Sequence, residues 1–263
     1  MKSYLAVFSA RMRMLLQYRA AAFAGLATQL FWGLIRVMIF DAFYRTATSA
    51  QPMNYAQVID YVWLGQALLA LLPMWMDTEI RAMMRNGTVV YELVRPLDLY
   101  NFWYARALAS RLAPTLLRAL PLYFLALLFF GLASPISPAA GLAFLLTVLG
   151  ALLLGGAIST LLNISLMWTI AGEGIFQIAT ACILLLSGMI VPLPFFPDWA
   201  RPILEALPFA GLVDLPFRLY TGHIPAGQAL GIFAGQLFWT IALVGLGRLV
   251  LNQGIRRLVV QGG

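Results

Sequence analysis

Residues 139–168, AAGLAFLLTVLGALLLGGAISTLLNISLMW, decide the fold, because thirty consecutive positions carry no charged side chain. A helix needs about 20 apolar residues to cross a bilayer. A soluble domain could bury one such run only beneath a polar surface, and this chain has little polarity to make one. Hydrophobic residues are 62% of its 263 positions and charged residues 10%, against roughly half and a quarter in soluble proteins. Much of the apolar surface is therefore expected to face lipid.

Outward from that run, five more blocks approach the same length. They are Ala20 to Phe43, Val58 to Met76, Ala107 to Leu132, Ile175 to Val191 and Ala226 to Leu251. With Ala139 to Trp168 they predict six spans in a single all-α integral membrane domain covering residues 1–263. Ahead of the first span, Tyr4, Leu5, Phe8, Met12, Leu15 and Leu16 recur at helical spacing, while Lys2, Ser9, Arg13 and Gln17 take the other side. Residues 3–18 thus read as an amphipathic helix in the membrane interface. The first block is too long for the core of a signal peptide and no A-x-A pattern follows it, so it reads as a retained span.

The net charge of +7 comes from 16 arginines and one lysine, Lys2. With a cytoplasmic N-terminus, Lys2, Arg11, Arg13, Arg19, Arg81, Arg85, Arg95, Arg106, Arg111, Arg248, Arg256 and Arg257 fall inside, and only Arg45, Arg201 and Arg218 outside. The positive-inside rule selects that orientation, and an even span count returns the C-terminus to the cytoplasm. The arginines lie between apolar blocks and form no basic stripe with exposed aromatics, so nucleic acid is not expected as a partner.

The missing motifs bound the chemistry. A sequence whose only lysine is Lys2 cannot hold a G-x-x-x-x-G-K-[ST] phosphate loop, so any ATP hydrolysis needs a separate subunit. His223 is the single histidine, which rules out an H-E-x-x-H zinc site. Cys182 is the single cysteine and reads as a small buried apolar side chain. Ser187-Gly188 lacks the upstream glycine of a presented serine nucleophile. No catalytic residue, metal site or bound cofactor is expected.

Two connections are too unusual for plain loops. In the inner one, Asn86-Gly87 signals a turn, Thr88 can cap a helix, Val89 to Val94 can make about two turns, and Pro96 ends it. Arg85, Gly87, Val90, Tyr91, Glu92, Leu93, Arg95 and Pro96 are the candidate coupling residues. Val90 and Leu93 would offer apolar knobs, and Glu92 a charge to a basic partner, as a helix set in a groove. The alternative is a helix that only lies among headgroups.

The outer connection, Pro192 to Pro225, is cut by prolines into short pieces whose Phe195, Phe196, Trp199, Ile203, Leu204, Leu207 and Phe209 are too apolar for solvent. Such pieces are expected to dip back into the membrane against protein. Pro192, Phe196, Pro197, Trp199 and Pro208 are the candidate outer gate, with packing between subunits as the alternative. Arg36 and Asp60 fall at similar depth in antiparallel spans and are expected to pair, as part of a translocation path or as a structural ion pair. Arg118 carries the same choice, and Glu173 reads as part of a tight turn between glycines. Gly227, Gly231 and Gly235 repeat every fourth residue, the pattern of a close helix-packing face.

These features resemble the ABC-2 class of exporter permeases and, within it, the ABC-2 family transporter proteins. The resemblance covers the whole chain. It rests on the interfacial helix, on Ile80-Arg81-x-x-x-x-Asn86-Gly87-x-x-x-Tyr91-x-Leu93-x-Arg95-Pro96-Leu97-Asp98, and on Gly188-x-x-x-Pro192-x-x-x-x-Pro197-x-Trp199 with Leu207-Pro208. It implies two permease subunits, alike or merely related, with two ATPase subunits that bind ATP and Mg, in a bacterial cytoplasmic membrane. It also implies that the short helix between spans two and three sits in an ATPase groove. A secondary transporter would want carboxylates near mid-membrane, and an integral-membrane enzyme a nucleophile or metal cluster; the sequence offers neither.

Overall fold

The computed structural model describes residues 2–17, 19–169 and 172–256. The C-terminal residues 257–263, with Arg257 and the expected terminal orientation, lie outside the described residues, as do Tyr18 and Ala171. Within the described residues every regular element is helical, and four helices are long and apolar enough to cross a membrane.

The helices are α1 (Lys2–Leu16), α2 (Arg19–Thr46), α3 (Tyr55–Ala67), α4 (Thr78–Arg85), α5 (Val90–Leu93), α6 (Leu99–Phe129), α7 (Pro138–Ser165), α8 (Glu173–Leu186), α9 (Arg201–Ala206), α10 (Asp214–Tyr220) and α11 (Ala229–Ile255). The four long ones are α2, α6, α7 and α11. Their starts follow local chemistry. Asp98 accepts a hydrogen bond from the Asn101 amide at 2.8 Å to open α6, eight residues before the expected span. Ser137 accepts from Ala140, and Pro138 then occupies the first turn of α7, where its missing N–H costs nothing.

Two expected spans are not continuous helices. α3 ends at Ala67 and gives way to a 3₁₀ turn at Leu69–Leu71, and Pro73 holds Leu72 extended (φ −65°, ψ 143°), so that turn goes no further. Gly188 turns left-handed (φ 82°) and stops α8 at Leu186. With 13 and 14 residues, the two helices are each about 20 Å long, short of a hydrocarbon core of about 30 Å. The broken stretches support one another: Thr180 of α8 donates to the Met74 carbonyl at 3.3 Å. Backbone at membrane depth needs such internal partners.

α7 is the central helix, with Ala151, Leu154, Ala157 and Thr160 fully buried. Gly150 lets α11 approach: a Cβ there would stand 2.0 Å from Gln236 Oε1, and Gln236 instead donates to the carbonyls of Thr147 and Gly211 at 2.8 and 2.7 Å. The expected stripe Gly227, Gly231 and Gly235 does not pack this way. Added Cβ atoms there would meet nothing within 4 Å, and the stripe borders an open groove of about 530 Å³. Cys182 is exposed on α8, not buried as its apolar neighbours suggested.

Candidate functional site

At one end of the bundle α4, the Asn86-Gly87 turn and α5 form a hook. Asp77 caps α4 by accepting from the Glu79 and Ile80 amides at 3.0 and 3.2 Å. Its carboxylate also receives Arg106 of α6 at 2.9 Å, while Glu79 receives Arg106 at 2.8 Å and Arg11 of α1 at 2.5 Å. Burial opposes ionisation of Glu79, but the hydrogen bonds and charges of Arg11 and Arg106 outweigh it and hold the carboxyl below its ordinary value. Arg81 pairs with Glu173, which ties the hook to the start of α8. There Gly172, left-handed at φ 63°, makes the expected tight turn.

Gly87 (φ 70°) makes the hook's own turn, and Val89, with no side-chain cap, precedes a single helical turn in place of the expected two. The orientation of that turn corrects the sequence reading. Glu92 is 6% exposed and accepts from the indole N–H of the fully buried Trp103 at 2.6 Å, so it offers no charge to a partner. Val89 is buried beside it, Leu93 is half-buried against the bundle, and Val90 is half-buried. The outward face is Arg85, Asn86, Gly87, Thr88, Tyr91, Val94, Arg95 and Pro96, with Tyr91 70% and Val94 75% exposed. Arg95 also lies 5.7 Å from the Phe102 ring centroid. Among the described residues Arg85 and Arg95 have no carboxylate partner, so the face is apolar and basic.

At the other end, the proline-rich segment is packed against the bundle and is no free loop. Its centre is Asp214, fully buried. Asp214 Oδ1 accepts from the Leu193 amide at 2.9 Å and stands 3.0 Å from the Tyr61 hydroxyl, and Oδ2 accepts from Arg218 at 3.0 Å. Arg218 also pairs with Glu205 and donates to His223 Nδ1 at 3.1 Å. Sequence reasoning missed this carboxylate, although an Asp–Arg pair four residues apart on one helix was a readable sign. Of the expected gate residues, Pro192 is buried, Phe196 and Pro208 are half-buried, and Pro197 and Trp199 face outward.

Arg36 and Asp60 do not pair. Arg36 Nη2 donates to the Met189 and Ile190 carbonyls at 2.5 and 3.0 Å, just past the end of α8. Asp60 accepts from the Ala133 amide at 2.7 Å, and thereby holds the connection between α6 and α7. Each side chain answers backbone groups left over where helices stop. Arg36 lines a cavity of about 1240 Å³ walled by Trp32, Ile35, Phe40 and Phe43 of α2 and by Met189, Pro194, Phe195 and Phe196. Arg118 lies over Gly25, where a Cβ would come within 2.6 Å of its guanidinium. Arg111, counted among the arginines of the cytoplasmic side, is buried among α6 and α7. Among the described residues no three His, Cys, Asp or Glu side chains gather closely enough to hold a metal ion.

Long apolar helices joined by broken ones define a multi-pass α-helical membrane protein. A family model described as ABC-2 family transporter protein matches residues 30–262, and the chain belongs to that family, whose members are membrane transport components and not themselves enzymes. No curated protein matches the chain.

Proposed function

We propose that the chain is the permease subunit of an ATP-binding-cassette exporter. It forms the translocation path and is driven by separate ATPase subunits that bind ATP and Mg. The observation that carries this reading is the hook's outward face. Tyr91 and Val94 expose large apolar surface on a single turn fixed from behind by Glu92 and Trp103, with Arg85 and Arg95 beside them. Exposed apolar groups on a rigid support mark a docking site, and the two arginines make its complement an acidic, apolar groove.

In this reading the hook end is cytoplasmic, both termini are inside, and α3 and α8 complete six crossings with help from the broken segments beside them. The proline-rich segment caps the path from the outer side, and the cavity beside Arg36 faces it between two permease subunits, identical or related. ATP-driven closure of the ATPases tilts the hook. Asp77 and Glu79 pass the motion to α1 and α6 through Arg11 and Arg106, and Glu92 passes it to α6 through Trp103.

The test is co-purification from the native membrane. An ATPase bearing a phosphate loop should come down with the tagged chain, and fusions of a reporter at Lys2 and Gly263 should both read cytoplasmic. Purification of the chain from its native membrane with no phosphate-loop ATPase attached would refute the reading in favour of a secondary transporter.

A further inference from the structure

A smaller cavity of about 180 Å³ lies where α1, α6 and α7 meet, with Arg11, Asp77, Ser110, Arg111, Ser159 and Asn163 in its wall. Arg111 is 5% exposed, and among the described residues it forms no ion pair. One of its terminal nitrogens, Nη2, donates to Ser159 Oγ, the other reaches the Ala107 carbonyl at 3.5 Å, and its Nε–H has no partner. Three other wall residues each bury a polar atom without a partner: Arg11 Nε, Ser110 Oγ and Asn163 Oδ1. Four orphaned polar atoms around one cavity stand out, because buried polar groups are almost always satisfied.

The charges around the cavity do not balance. Three guanidiniums, those of Arg11, Arg106 and Arg111, share two carboxylates, Asp77 and Glu79, and both carboxylates already pair with Arg11 and Arg106, so the group carries one positive charge in excess. Burying an isolated ion is far more costly than burying a paired one. Water in the cavity would satisfy the hydrogen bonds but would leave the charge.

We propose that this cavity binds a compact tetrahedral oxyanion of the phosphate type. The guanidinium and hydroxyl donors of Arg111, Arg11 and Ser110 suit the oxygens of such an anion. The Asn163 amide can donate to an anion oxygen or accept from an O–H such as hydrogen phosphate carries. The volume is that of about six waters, which admits the ion with part of its hydration and excludes a drug-sized molecule. Bound there, the anion bridges Arg11 on α1, Arg111 on α6 and Asn163 on α7, and so fastens the base of the hook.

The experiment is thermal unfolding of the full chain in a neutral maltoside, read by tryptophan fluorescence. Sodium phosphate is titrated against sodium gluconate at constant ionic strength, and a second arm adds phosphatidic acid in phosphate-free buffer. A saturable rise in Tm with inorganic phosphate identifies a free ion as ligand, and a rise with phosphatidic acid alone places the same oxyanion on a lipid headgroup. In Arg111→Met the midpoint should weaken at least about thirtyfold, and in Ser110→Ala it should weaken by less. Ser110→Ala decides the matter if Arg111→Met does not fold. No saturable response in either arm, or an unchanged midpoint in the folded variants, overturns the proposal. The result is independent of whether an ATPase co-purifies.

Discussion

Replacing Tyr91 by Ala separates docking from folding at the hook. Tyr91 is 70% exposed, and an aromatic side chain of this kind buries about 150 to 250 Å² when covered, so a partner that covers it removes roughly 100 to 175 Å² from water. At about 25 cal/mol per Å² that is worth some 2.5 to 4 kcal/mol before ordering costs. A net loss of about 2 kcal/mol, typical of an interface hot spot, weakens association about thirtyfold. The assay is titration of purified ATPase against the chain in lipid nanodiscs, with Tm measured alongside. Tyr91→Ala should leave Tm nearly unchanged, because an exposed side chain away from caps and cores costs within about 0.5 kcal/mol. Trp103→Phe should behave oppositely, lowering stability by about 1 to 3 kcal/mol, because it leaves the buried Glu92 carboxylate without its donor. ATPase affinity within threefold of wild type for both Tyr91→Ala and Val94→Asp would sink the docking role of this face.

Three more outcomes follow from the same contacts. Asp214→Asn should destabilise the protein by about 3 kcal/mol or more, because it leaves Arg218 short of a buried partner, whereas Asp198→Asn, at an exposed pair, should barely move Tm. Glu79 has a lowered pKa when folded, so its contribution is complete above the ordinary carboxylate value of about 4.3 and is lost as pH falls through the lower folded value. A Tm–pH profile should therefore show a shallower acid limb in Glu79→Gln than in wild type, and superimposable limbs would count against the contribution. In a Cys182→Ala background, cysteine at the buried Leu204 should resist an impermeant thiol reagent that labels cysteine at the exposed Trp199; equal rates would leave the segment a loose loop.

The runs that became α2, α6, α7 and α11 were legible because length and apolarity alone decide a span. The blocks of α3 and α8 were legible as apolar but not as interrupted: hydropathy averages over Val58 to Met76 and does not register that the helix stops at Ala67 or that Pro73 holds Leu72 extended. The short helix after Gly87 was also legible from turn chemistry, but its facing was not. One helical turn has too few positions to show a periodicity, and the residue that turns Glu92 inward, Trp103, lies eleven positions away on the next helix. Arg36 and Asp60 were matched on depth and opposite charge, yet each is held by backbone groups 73 or more residues distant, which no pattern of side chains reveals. Arg111 was counted only for the side of the membrane it marks, and its burial against Ser159 of α7 depends on helix packing that such a count does not register.

The two carbonyls that accept from Arg36 belong to chain beyond the end of α8, where no further helical turn donates an N–H to them. The guanidinium therefore completes, from a different helix, the unfinished end of α8. Sliding α2 away would strand those carbonyls in hydrocarbon, so the pair is fastened much as a rivet joins two plates. Rearrangement at this end of the molecule is then confined to two routes. Either α2 and α8 travel together as one rigid blade, or water enters first and takes the place of Arg36; if the proposed export path runs along this wall, its wetting would then precede opening.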